Sequence, residues 1–122
     1  MADSVPATPV RPPMVTLPRE LGIINADNIA RELADNIGRQ LAVTLPPGTP
    51  VVIADMTATA FCDTSGVRML VLACRRATAN GAELRLLAPR PQVLRLLQLL
   101  GADTVLPVYH SLPAALAGGP HG

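Results

Sequence analysis

A chain of 122 residues is long enough for one folding unit with a core and for little else, and its formal net charge of +1 is nearly balanced. Phe61 and Tyr109 are its only large aromatic residues, and its basic residues are all arginine, scattered from Arg11 to Arg95. Aromatic stacking platforms for bases or sugars and a massed basic face for nucleic acid are thereby excluded, and a 49% hydrophobic content must build its core from Leu, Val, Ile and Ala.

Residues 1–13 carry too many prolines for a helix or an inner strand and read as a disordered tail. Met14 to Leu17 can form a short edge strand. After the link Gly22-Ile23-Ile24, Asn25 or Asp27 can cap a helix whose apolar positions Ile29, Leu33, Ile37 and Leu41 recur every four residues. Pro46-Pro47-Gly48 stops regular structure and introduces Val51 to Ala54, a continuous apolar run of the kind buried on both faces of a sheet. Phe61-Cys62-Asp63-Thr64-Ser65-Gly66-Val67 then joins the end of that region to the clearest amphipathic helix of the chain. Val67, Leu70, Val71, Cys74, Ala77 and Thr78 form its apolar stripe, and Asn80-Gly81 its end. Glu83 to Ala88 reads as the next strand, Pro91 opens a leucine-rich helix from Gln92 to Leu100, and Gly101 closes it. Thr104 to Leu106 is expected as a last short strand, followed by a weak helix around Ser111 to Leu116 and a disordered tail over residues 118–122.

Strands alternating with helices across short Gly- or Pro-marked loops predict an α/β fold: a small, mainly parallel sheet of four to five strands with about four helices. No apolar run approaches the roughly 18–20 residues of a bilayer span, and the opening lacks a charged and apolar leader, so a cytoplasmic protein with no membrane partner is expected. Cys62 and Cys74, without Cys-x-x-Cys or clustered histidine, indicate neither a disulfide framework nor a metal site. Both are expected as buried, reduced thiols.

Function is expected at the junction of residues 61–67, because a helix start leaves backbone N–H groups unpaired and carries the positive end of the helix dipole. A hydroxyl there can act as a cap, a nucleophile or an acceptor of phosphate. The nucleophile elbow of hydrolases is Gly-x-Ser-x-Gly, whereas Asp63 and Val67 occupy the glycine positions around Ser65. The only histidines are His110, read as a partly exposed loop residue, and His121 near the end, so a Ser-His base is unsupported. Neither phosphate-loop pattern occurs, and the chain has no lysine. A catalytic role and a cofactor are accordingly not expected. The plainest reading of Asp63, Thr64 and Ser65 is that one of them caps the helix.

The same residues resemble the Asp-Ser/Thr-Ser-Gly motif of STAS domains, the anti-sigma factor antagonists. Glu20-Leu21 stands where that family has a Gly-Glu-Leu-Asp turn, with Arg19 and Gly22 in place of its Gly and Asp. Leu97 to Asp103, with Val105 to Tyr109, is similar to the family's last helix and strand. The resemblance covers roughly residues 14 to 117, which makes that stretch the STAS domain. It implies that the unphosphorylated protein binds an anti-sigma factor, a serine kinase, and so frees a sigma factor for transcription. Phosphorylation of Ser65 reverses the binding, and a PP2C-type phosphatase restores it. Glu20, Leu21, Asp63, Thr64, Ser65, Gly66, Val67 and Arg68 are the partner-binding residues so implied, and a weak homodimer is kept open. The alternative is a STAS module that is not phosphorylated, serving as a scaffold or as a subunit of a transport or stress-signalling complex. A weaker idea is a small molecule or nucleotide bound near the same turn.

Overall fold

The computed structural model describes residues 11–119; residues 1–10 and 120–122, read as tails, lie outside the described residues. In chain order the elements are β1 (Met14–Thr16), β2 (Glu20–Leu21), α1 (Ala26–Val43), β3 (Val51–Asp55), β4 (Phe61–Cys62), α2 (Thr64–Ala79), β5 (Glu83–Leu87), α3 (Pro91–Leu99), a 3-10 turn (Ala102–Thr104), β6 (Val108–Tyr109) and α4 (Leu112–Ala117). The alternation yields the expected α/β architecture: among the described residues, four helices and a four-stranded parallel sheet in the order β1-β3-β5-β6, with a small second sheet of β2 and β4.

The apolar run of β3 is central because it pairs on both sides. Met14 to Thr16 face Ile53 to Asp55, and Val51 to Asp55 face Glu83 to Leu87 in register. Successive side chains along a strand point to opposite faces. Val52, Ala54, Leu84, Leu86 and Val108 therefore enter the main core with Leu33 and Ile37 of α1, Leu70 and Cys74 of α2, and Val93 and Leu97 of α3. Ile53, Leu87 and Tyr109 enter the reverse face, where Ala115 of α4 covers them. Arg85 fastens that short helix to the sheet: its guanidinium donates to the Ala115 carbonyl (2.7 Å) and to Glu83 (2.9 Å), and lies 5.8 Å from the centre of the Tyr109 ring.

Four details differ from the sequence reading. The last strand is Val108–Tyr109, not Thr104–Leu106. Gly101 ends α3 in the left-handed region (φ 70°), Thr104 Oγ1 donates to its carbonyl and the Leu106 N–H donates to Ala102, so these groups are spent in a turn. The edge of β5 is met only from Pro107, whose carbonyl accepts the Leu86 N–H (2.8 Å). Glu20-Leu21, read as a turn, is instead a short strand paired in parallel with Phe61-Cys62. Cys74 is buried as expected, but Cys62 is only half-buried because β4 lies at the surface. Leu41 extends the α1 stripe past the core and is 37% exposed.

Candidate functional site

The β2/β4 pair and the first turn of α2 meet at the junction of residues 61–67. Asp63 takes the N-cap position in extended backbone (φ −99°, ψ −179°), and its Oδ1 accepts the Gly66 N–H at 3.0 Å. Its other oxygen, Oδ2, accepts the Ile23 N–H at 3.3 Å, so one carboxylate ties the α2 start to the loop before α1. Capping is thus assigned to Asp63, and neither Thr64 nor Ser65 is used for it. Both hydroxyls lack a hydrogen-bond partner among the described residues; Thr64 is exposed and Ser65 half-buried.

Two glycines permit this close packing. A β-carbon on Gly66 would lie 2.8 Å from the Leu21 carbonyl oxygen and 2.9 Å from Cys62 Sγ, so α2 can press on β2 and β4 only with glycine there. A β-carbon on Gly22 would lie 2.5 Å from Asp63 Oδ2. The segment 20–25 is held by Asn25, whose side chain donates to the Glu20 carbonyl (2.7 Å) and accepts the Gly22 N–H (3.0 Å). Asn25 is the α1 N-cap by position, but its side chain is engaged in that turn and bonds no helix N–H; Asp27 lies inside the first turn of the helix.

The eight residues expected at the partner-binding face separate into two groups. Glu20, Asp63, Thr64 and Arg68 are exposed and Ser65 is half-buried, so these five reach the surface. Leu21, Gly66 and Val67 are buried beneath them and act as supports. Ile23 and Ile24 were missed by sequence reasoning, and Phe61 was read as part of the junction but not as a partner-binding residue, yet the three are 77%, 95% and 60% exposed. With Glu20 and Asp63 they line a hollow of about 390 Å³. The available signal was an Ile-Ile pair outside any apolar periodicity.

Cys62 adjoins Asp63 but is chemically quiet. Burial first, and the Asp63 charge second, push its thiol up to about 11, so at neutral pH it is not the nucleophilic thiolate. His110 is exposed after β6, and no hydrogen bond among the described residues joins it to Ser65. No group of His, Cys, Asp or Glu among the described residues could hold a metal ion, and no helix among them is long and apolar enough to cross a membrane.

The family model of the STAS domain matches residues 6–115. The chain belongs to the STAS family. No sequence among the curated proteins matches it. Its fold is similar to solved structures at low identity. An anti-sigma-factor antagonist (STAS) domain protein from Planctomyces limnophilus has a TM-score of 0.68 at 20% identity, with 85% of this chain and 86% of that one covered. The Bacillus cell fate determinant SpoIIAA in its phosphorylated form has a TM-score of 0.57 at 23% identity, covering 83% and 85%. The murine anion transporter Slc26a9 has a TM-score of 0.71 at 18% identity, with 91% of this chain but only 18% of the transporter covered.

In this STAS domain the cap is a joint between two segments, which sets the cost of removing it. Asp63→Ala is expected to lower stability by about 1–2 kcal/mol, because the Gly66 N–H loses its acceptor. Asp63→Asn keeps a competent cap and is expected to retain most of that stability. Urea denaturation of both variants checks this; an Asp63→Ala midpoint equal to the parent's contradicts it.

Proposed function

We propose that this STAS domain, residues 14–117, is an anti-sigma factor antagonist that works by partner switching in the cytoplasm, without catalysis of its own. In the unphosphorylated state the surface around Ser65 binds an anti-sigma factor serine kinase and thereby frees a sigma factor. Phosphorylation of Ser65 releases the antagonist, and a PP2C-type phosphatase returns it to the binding form. The observation that carries this reading is the division of labour at the α2 start: Asp63 fills the cap, which leaves the Ser65 hydroxyl at a helix N-terminus without a hydrogen-bond partner among the described residues.

A phosphate there adds about −1.5 to −2 charge and three acceptor oxygens. The helix N-terminus tolerates that anion, so the fold persists while the surface becomes more negative. Around it, Ile23, Ile24 and Phe61 offer exposed apolar area that a partner can cover. Any partner covering them must also desolvate the Ser65 position and Asp63, and a dianion makes that step unfavourable.

Incubation with the cognate anti-sigma kinase and ATP, followed by phosphopeptide mapping, tests the reading. Phosphate is expected on Ser65; phosphate on Thr64 alone, or none, overturns it. The likeness to Slc26a9 favours a second reading, a STAS module within a transport complex whose Ser65 is never modified. In that case the same assay leaves Ser65 bare and the chain co-purifies with a membrane complex.

A further inference from the structure

We infer that the trough between α1 and α2 seats a single amphipathic helix of a partner protein, apolar along one stripe and acidic on the flank that meets α2. This rests on the partner-switching reading and deepens it, because Ser65 stands at one end of the trough. The trough encloses about 680 Å³ and extends from Ile23 and Ser65 at the two helix starts to Leu41 and Asn80 near their ends. Its α1 wall, which also carries Asp27, Ile37 and Leu41, includes Ala26, Ala30, Ala34 and Gly38, small residues one turn apart that allow a close approach. Its α2 wall includes Met69 and Leu72, and Leu72 is 51% exposed in the absence of an occupant.

Shape and charge select the occupant. A second copy of this chain offers the same concave face, and two troughs set face to face leave a void. A convex body is required, and a helix about 10–12 Å across supplies it. Arg68 and Arg76 both line the trough on the α2 side, and their guanidinium groups have no ion-pair or hydrogen-bond partner among the described residues. Asp27 is the only acidic residue lining it among the described residues. Arg68 and Arg76 lie roughly 12 Å apart along the helix at 1.5 Å per residue, a spacing that two carboxylates about two turns apart on a docked helix can match. A phosphate on Ser65, one turn from Arg68 on the same helix, competes for that guanidinium and repels an acidic flank. Modification at one end thereby loosens the whole helix.

Fluorescence anisotropy with two synthetic peptides of about 18 residues tests this on the unmodified protein. Both peptides carry leucine at i, i+3, i+4 and i+7, one with glutamate and the other with lysine on the flanks. The glutamate peptide is expected to bind roughly tenfold more tightly, the margin of one charge-assisted contact, and the double variant Arg68→Glu/Arg76→Glu to reverse the order. Gly38→Leu, whose added Cβ meets nothing within 4 Å, is expected to fill the trough and weaken the glutamate peptide roughly tenfold without loss of thermal stability. Equal binding of the two peptides, or a glutamate-peptide affinity that Gly38→Leu leaves unchanged, overturns the proposal. Neither kinase nor phosphate enters the titration, so its failure is distinct from a failure of Ser65 to be phosphorylated.

Discussion

Gly66→Val is expected to be the most damaging single substitution at the site, lowering stability by about 3 kcal/mol or preventing folding. Helix propensity alone predicts a small gain, since glycine inside a helix is less favourable than valine by a few tenths of a kcal/mol. The surroundings reverse the sign. The first added carbon lies 2.8 Å from the Leu21 carbonyl oxygen and 3.0 Å from Leu21 Cγ, and Leu21 is itself buried at 1% exposure. A backbone carbonyl paired into the β2/β4 ladder cannot swing aside as a flexible side chain would. Relief therefore requires α2 to lift from β2, which strains the Asp63 cap and displaces Ser65. Urea denaturation measures the stability, and Gly66→Ala, with a single added carbon, is expected to show about 1 kcal/mol of the same loss. Parent-like stability of both variants would show that the α2 start does not depend on this close approach.

Ser65→Asp is expected to weaken binding to the anti-sigma kinase roughly 100-fold while leaving the fold intact, and Ser65→Ala to bind as the parent does. The two halves have one electrostatic origin. In the free protein the new carboxylate sits in the first turn of α2, where the helix dipole favours it by about 0.3–1 kcal/mol, so unfolding midpoints should not fall. In the complex the carboxylate has to leave water beside the Asp63 charge, and an unpaired buried charge costs several kcal/mol. Isothermal titration calorimetry gives the affinity and thermal denaturation the stability of each variant. A Ser65→Asp protein that binds as tightly as the parent refutes the switch. A stability loss in Ser65→Ala together with a Ser65→Asp affinity equal to the parent's would assign the residue a local structural role only.

The elements with strong local signals were legible before any fold was known. Val67, Leu70, Cys74 and Ala77 of the α2 stripe are buried as their spacing predicted, whereas Val71 is half-buried and Thr78, at the end of the stripe, is exposed; Asp63 caps the helix. β3 and β5 follow the apolar runs from Val51 and from Glu83. Other segments were misread because their outcome depends on partners. Thr104 to Leu106 has the composition of a strand, but Gly101 and Thr104 close a turn before the chain reaches β5. Glu20-Leu21 becomes a strand only because Phe61-Cys62 is placed beside it.

The site divides in the same way. Its chemistry, a hydroxyl behind an acidic cap at a helix start, was determined by consecutive residues, because capping and helical periodicity act within one or two turns of chain. Its environment was decided by the tertiary structure. The Ile23 N–H reaches the Asp63 carboxylate across a sequence separation of 40 residues, and Gly22 is required by that carboxylate rather than by its own turn. The exposed Ile23, Ile24 and Phe61 and the trough beside Arg68 and Arg76 likewise form between segments distant in sequence. A local pattern carries the propensity of each segment but not the identity of its neighbours, and at this site the neighbours determine which groups are paired, which are buried and which stay open to a partner.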